Sequence, residues 1–211
     1  MSTDTASNRT KGLIVLAFAL AFGGALLLVG VMFGRMLSAD FTPSGTATIG
    51  GPFTLVSSSG ESVSDRSYRG KWVLIYFGYS YCPDACPTAL NNISVALEKL
   101  GADSKNLQPL FVTVDPQRDT RAAMADYLKS FDSRIIGLTG TQDQIDRVVK
   151  EFRVYASRDK SDDGGDNYLV SHSSYIYLMN PQGSFVNVIQ GGAIGDEIAA
   201  WLRKEMGRAG T

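Results

Sequence analysis

The sequence predicts an α/β domain: a mixed β-sheet flanked by helices. Three observations carry that reading. Two nearly unbroken apolar, β-branched runs, at 72–77 and 110–114, have the composition of strands buried on both faces. Helical patterns alternate with these strands, beginning with Leu90, Ile93, Leu97 and Leu100 on one stripe. Late in the chain, two short strands flank Asn180-Pro181-Gln182-Gly183, and so tight a connection requires an antiparallel pair.

Taken in order, 53–56 reads as a short strand, and the turn-rich stretch after it suits a hairpin ahead of the main sheet. Trp72-Val73-Leu74-Ile75-Tyr76-Phe77 is the first long buried strand. Pro87 is suited to the first helical position, and Gly101 is the stop that follows Leu100. Leu110-Phe111-Val112-Thr113-Val114 is the second buried strand. A helix at 120–131, a strand at 135–138 and a helix at 142–152 follow. Strands at 175–179 and 185–189 form the late hairpin, and a helix at 194–206 closes the chain. The order β-α-β-α-β-α-β-β-α calls for helices packed on a mixed sheet.

Composition is ordinary for a globular chain of 211 residues: 44% hydrophobic, 19% charged, formal net charge −1. Bulk nucleic-acid binding therefore has no electrostatic support. Residues 12–34 lack any charged side chain. As a helix they would reach about 35 Å, enough for a hydrocarbon core of about 30 Å. A cleaved signal peptide competes, but its apolar core should be shorter and end in a small-x-small site, which Leu37-Ser38-Ala39 matches poorly. The sequence thus predicts a cytoplasmic N-terminus at 1–11, a transmembrane anchor at 12–34, a linker at 35–51 and one domain at 52–211. Arg9 and Lys11 precede the span and Arg35 follows it, so the positive-inside rule sends the domain outward. Disulfides form and persist in such a compartment.

The chemistry concentrates in three residues. Cys82 and Cys86, in Tyr81-Cys82-Pro83-Asp84-Ala85-Cys86-Pro87, are the chain's only cysteines, and His172 is its only histidine. With helix starting at Pro87, Cys86 is the cap or its neighbour, where the helix dipole favours thiolate. The spacing is one residue longer than the C-x-x-C of thioredoxin-like redox proteins, and it can wrap a metal or close as a disulfide. His172 precedes the strand at 174–179, close to where a thioredoxin-like fold places a proline facing its cysteines. Two thiolates and an imidazole make a soft, low-coordinate set suited to Cu(I), with Cu(II) accessible given an added oxygen ligand. A structural zinc would lack its fourth ligand.

At these residues the chain resembles the SCO/SenC family of copper-binding proteins. Tyr76-Phe77-Gly78-Tyr79-Ser80-Tyr81-Cys82-Pro83-Asp84-Ala85-Cys86-Pro87 is similar to its first motif, and Val114-Asp115-Pro116-Gln117-Arg118-Asp119-Thr120 to its second. His172-Ser173, followed by Tyr177-Leu178-Met179-Asn180-Pro181-Gln182-Gly183, resembles its third. The resemblance implies a thioredoxin-like fold on a membrane tether, with copper held by Cys82, Cys86 and His172. It implies delivery of that copper to the CuA centre of cytochrome c oxidase subunit II, and a periplasmic copper donor or thiol reductant as a second partner. The implied location is a bacterial inner membrane, single-pass with the C-terminal domain in the periplasm, or the mitochondrial equivalent. Gln117 stands where the family often has Glu, and Ser171 where many members have Asp, which puts a carboxylate partner for His172 in doubt.

Two functions stay open on these residues: a copper metallochaperone using all three, and a thiol–disulfide oxidoreductase in which Cys82 and Cys86 are the redox pair. The former needs no catalytic turnover. Other residues have simpler expected roles. Asp84 shapes the turn between the cysteines, and Asp115 and Asp119 belong to a proline turn in which Asp119 or Thr120 caps the next helix. The acidic glycine-rich patch at 159–166 is a solvated loop. Met124, Met179 and Met206 are core fillers, and Tyr79 and Tyr81 serve packing.

Overall fold

In a computed structural model, residues 23–28, 32, 48–159 and 168–208 are described. Two compact units, Met1–Thr46 and Ala47–Thr211, divide the chain. In the first, residues 23–28 and 32 are helical, and the rest of the expected span at 12–34 lies outside the described residues. Among those described, no helix is long and apolar enough to cross a membrane. Most of the expected linker and the acidic patch from 160 to 166 also lie outside them.

The second unit contains nine strands among its described residues: β1 Thr54–Ser57, β2 Ser62–Ser64, β3 Trp72–Gly78, β4 Leu107–Thr113, β5 Ile136–Thr139, β6 Ala156–Arg158, β7 Val170–His172, β8 Tyr175–Met179 and β9 Phe185–Gln190. Its helices are α1 Ala85–Leu100, α2 Arg121–Leu128, α3 Gln142–Glu151 and α4 Gly195–Arg208. Seven strands form one sheet in the order β2-β1-β5-β4-β3-β8-β9, and β6 pairs with β7 in a separate ribbon. The β3–β4 and β4–β5 pairs are parallel, while β3–β8 and β8–β9 are antiparallel. This is the mixed sheet flanked by helices that the sequence predicts, with a thioredoxin-like core.

Burial explains why the central strands form where they do. Leu74, Ile75, Tyr76 and Phe77 on β3 and Leu110 and Phe111 on β4 are at most 2% exposed. Each such side chain contributes roughly 1.5–3 kcal/mol by leaving water. On α1 the buried stripe is Cys86, Ala89, Leu90, Ile93, Ala96, Leu97 and Leu100, a 3.6-residue period that packs against α4. Met124, Met179 and Met206 pack in or against the core as expected.

Several boundaries differ from the sequence reading, each for a local reason. The second long strand starts at Leu107 rather than 110, because Leu107, Gln108 and Pro109 also pair with β3. β5 pairs with β4 only at Leu110, Phe111 and Val112, so the missing N–H of Pro109 falls beyond the ladder to β5. Helix α1 starts at Ala85, two residues before Pro87, whose missing N–H costs nothing within the first turn. Helix α2 ends at Leu128 rather than 131, the chain continuing into tighter turns. Strands β6 and β7 are new: three residues each is too short for alternation to register in a sequence.

Candidate metal centre

The cysteine loop leaves the carboxyl end of β3 and enters α1. Gly78 permits its tight path, since a Cβ there would lie 2.7 Å from the Cys86 sulfur and 2.8 Å from the Phe111 ring. Cys86 is completely buried beneath the first turn of the helix, and Cys82 is half-buried above it. Asp84 is the N-cap residue, yet its side chain makes no capping hydrogen bond and is exposed. The Cys82 sulfur takes over that duty, accepting the Cys86 backbone N–H at 3.4 Å. It is therefore Cys82, not Cys86, that receives the positive end of the helix.

His172 closes the third side from the end of β7. Its Nε2 lies 3.4 Å from the Cys86 sulfur. Its Nδ1 faces the backbone carbonyl of Ser173 at 3.1 Å. A proton on Nδ1 donates to that carbonyl and leaves the Nε2 lone pair directed at the sulfurs. The backbone thus supplies the outer partner that the absence of Asp at 171 put in doubt. The rings of Tyr79 and Tyr76 meet the imidazole edge-on, at 5.9 and 6.3 Å between centroids. The two sulfurs and the imidazole nitrogen lie within 4.8 Å of one another, the one such grouping of three among the described residues.

Both cysteines are free thiols, and their proton affinities are widely split. A hydrogen bond from the Cys86 thiol, opposed by partial burial and aided by His172 and by backbone N–H groups, pulls Cys82 down to about 3. The same hydrogen bond, reinforced by burial, pushes Cys86 far above the ordinary thiol range. The pair holds one proton between them, on the inner sulfur. A thiolate, a displaceable thiol proton and an imidazole lone pair fit a soft cation of low coordination number.

Asp84, Asp115 and Asp119 are not among the three clustered ligands. Asp119, fully buried, accepts hydrogen bonds from the Ser80 N–H at 3.1 Å, from the Ser80 hydroxyl and from the Thr113 hydroxyl at 2.6 Å. Burial outweighs these bonds and pushes its carboxyl above the usual range. Thr120, not Asp119, caps α2, accepting the Ala123 N–H at 3.3 Å. Asp115 accepts from Tyr168 Oη at 2.7 Å and from Arg118 Nε at 2.5 Å. Tyr79 is more than packing, since its hydroxyl accepts the Val170 N–H at 3.2 Å. Arg118 and Tyr168 went unassigned in the sequence. A cation three residues after Asp115 and next to Asp119, in the turn that follows a buried strand, was the available signal, but only the fold shows what it grips.

Comparison with known proteins places this geometry among relatives. The family model described as SCO1/SenC matches residues 41–207. The human protein named SCO1 homolog, mitochondrial, is 37% identical over 90% of this chain and 65% of its own length, so this chain spans under two thirds of it. A SCO2-like protein of Rickettsia conorii is 35% identical, covering 94% of this chain and 98% of that protein. The structure of Bradyrhizobium japonicum ScoI with copper bound superimposes with a TM-score of 0.69 at 41% identity, covering 74% of this chain and 99% of that chain.

Proposed function

Because this chain belongs to the SCO1/SenC family, we propose that it is a copper metallochaperone, binding copper through Cys82, Cys86 and His172. The cargo goes to the CuA centre of cytochrome c oxidase subunit II. The observation that carries the proposal is the convergence of two sulfurs and one imidazole nitrogen within 4.8 Å. Relatives solved with copper bound, from Bradyrhizobium japonicum and yeast, support copper as the cargo. An anchor at 12–34 would hold the domain beside a membrane oxidase, on the periplasmic or intermembrane side.

The residues divide the work of carrying and releasing an ion. Cys82, already a thiolate and partly exposed, is the sulfur an incoming copper or an acceptor's thiol meets first. Cys86, buried and protonated, gives up its proton when it ligates, so loading releases a proton and becomes less favourable as pH falls. His172, oriented by the Ser173 carbonyl, completes the set and is the ligand an acceptor displaces without touching sulfur.

A second reading is favoured by one specific observation. The split between a reactive Cys82 thiolate and a protonated Cys86 also suits a thiol–disulfide oxidoreductase that reduces the oxidase cysteines. X-ray absorption on the full-length protein loaded with copper separates the two. Two sulfurs and one or two nitrogen or oxygen neighbours support the courier. Failure of the reduced protein to retain copper against dialysis sinks it and leaves the reductase.

A further inference from the structure

The histidine stands on a strand that the main sheet does not hold. Among the described residues, β7 pairs only with β6, and neither joins the seven-stranded sheet. The position of His172 over the cysteines is therefore fixed by contacts from outside that ladder: the Tyr79 and Tyr76 rings against the imidazole, and bonds at the two ends of the ribbon. On the far side Gly191 N–H reaches the Ser174 carbonyl, at the start of β8. On the near side, Tyr79 takes the Val170 N–H, and one turn of chain holds Tyr168.

That turn is 114–120, between β4 and α2. Arg118 Nη1 donates to the Tyr168 carbonyl at 2.8 Å while its Nε donates to Asp115, and its guanidinium lies 3.5 Å from the centre of the Tyr168 ring. The Tyr168 hydroxyl returns to the other oxygen of Asp115 at 2.7 Å. All three side chains are at least nine-tenths buried. The Arg118 guanidinium also lies over Tyr79, whose hydroxyl takes the Val170 N–H two residues before His172. From the same turn, Asp119 grips Ser80, two residues before Cys82. One short segment thus braces both halves of a centre whose ligands come from 82, 86 and 172.

We propose that Arg118, clamped to Asp115 and Tyr168, is a positioning residue that holds His172 over the cysteine pair. The inference rests on the three-ligand reading above. Arginine is required for its form as well as its charge: a planar fork makes the two donations and the ring stack at once, which a lysine ammonium cannot. Loosening the clamp lets the ribbon drift and turns a three-ligand centre towards a two-sulfur one.

The test is a double-mutant cycle on the full-length, reduced protein: parent, Arg118→Lys, His172→Ala and the double variant, titrated with Cu(I) against a competing chelator. Arg118→Lys should weaken copper binding about 10–100-fold in the parent, the range for loss of an outer partner. In the His172→Ala background it should cost less than about threefold, because its effect runs through the imidazole. Unchanged affinity of Arg118→Lys in the parent overturns the proposal, as does an equal loss in both backgrounds, which would mean an effect on the cysteines or on folding. If His172→Ala alone changes nothing, the three-ligand reading has failed and the clamp falls with it. Should Arg118→Lys not fold, Tyr168→Phe keeps the ring and removes only its bond to Asp115. It should cost about fivefold in the parent and nothing beyond His172→Ala, and no loss in the parent again overturns the proposal.

Discussion

The Nε2 of His172 lies 3.4 Å from the sulfur of Cys86 although 86 positions separate them in the chain. The core stripe of α1 carries the sulfur to this place, and the rings of Tyr79 and Tyr76 meet the imidazole. The imidazole is only partly buried, the sulfur completely so, and the imidazole's other nitrogen faces a carbonyl that fixes its tautomer. That meeting is the basis of the predictions that follow.

Replacing His172 with Ala removes the proposed third ligand without disturbing the helix that carries the sulfurs. Copper affinity should fall by more than the roughly 10–100-fold expected for an outer partner. The Cys82–Cys86 pair should still form a disulfide and be reduced again. Chelator competition and thiol counting measure the two; an unchanged affinity would remove the imidazole from the site.

In the metal-free, reduced protein Cys82 should react as a thiolate across the neutral range. Iodoacetamide should modify Cys82 alone, at a rate nearly flat between about pH 5 and 8, where an ordinary thiol gains about tenfold per unit. Stability should follow the same split. Cys82 is lowered from 9.0 to about 3 in the folded state, so its contribution is complete above about pH 9 and is lost as pH falls towards 3. Cys86 is raised, so above about pH 9 the unfolded chain ionises where the folded one holds its proton, and stability falls as pH rises. Urea midpoints of the parent and Cys82→Ser should therefore diverge between pH 5 and 8. A rate climbing steeply through that range would contradict the assignment of the thiolate to Cys82.

Gly78→Ala would place a methyl 2.7 Å from the Cys86 sulfur and 2.8 Å from the Phe111 ring. The crowding should cost about 1–3 kcal/mol and push the inner sulfur from its seat, weakening copper binding as well. Urea unfolding and copper titration check both effects. A variant as stable and as tight as the parent would show that helix α1 does not approach β3 this closely.

Asp119→Ala strands the Ser80 and Thr113 donors in the interior, at about 1–3 kcal/mol for each group left unsatisfied. It should also weaken copper binding, because Ser80 leads directly into Cys82. Thr141→Ala is the comparison. It breaks the capping box of α3 with Gln144, costs about 1 kcal/mol, and should leave copper affinity alone. Equal effects of the two variants on metal binding would deny Asp119 any role at the site.

The long elements were legible because their evidence is local. The shortness and the β-branched and aromatic content of a run such as 72–77 favour a buried strand, and the spacing from Leu90 to Leu100 matches one side of a helix. The three candidate ligands were legible for a different reason: with two cysteines and one histidine in 211 residues, there was no other set of thiols and imidazole to choose. What the sequence could not contain was distance. Strands β6 and β7 are too short to announce themselves, and their pairing joins residues that the chain keeps apart, Ala156 with His172. The exchange of roles between the cysteines also arose only in three dimensions. Helix α1 begins before Pro87, which sets the Cys86 N–H and, above all, the Cys86 thiol against the Cys82 sulfur, so that the outer cysteine is the thiolate. The buried duties of Asp115, Arg118 and Asp119 are likewise tertiary. A charged side chain in a proline turn looks solvated until the fold removes its water, and the partners then available, Tyr168 and Ser80, come from segments no periodicity connects. Residue type thus determined which groups could hold a soft metal, while only folding decided which sulfur is charged and what keeps the imidazole beside it.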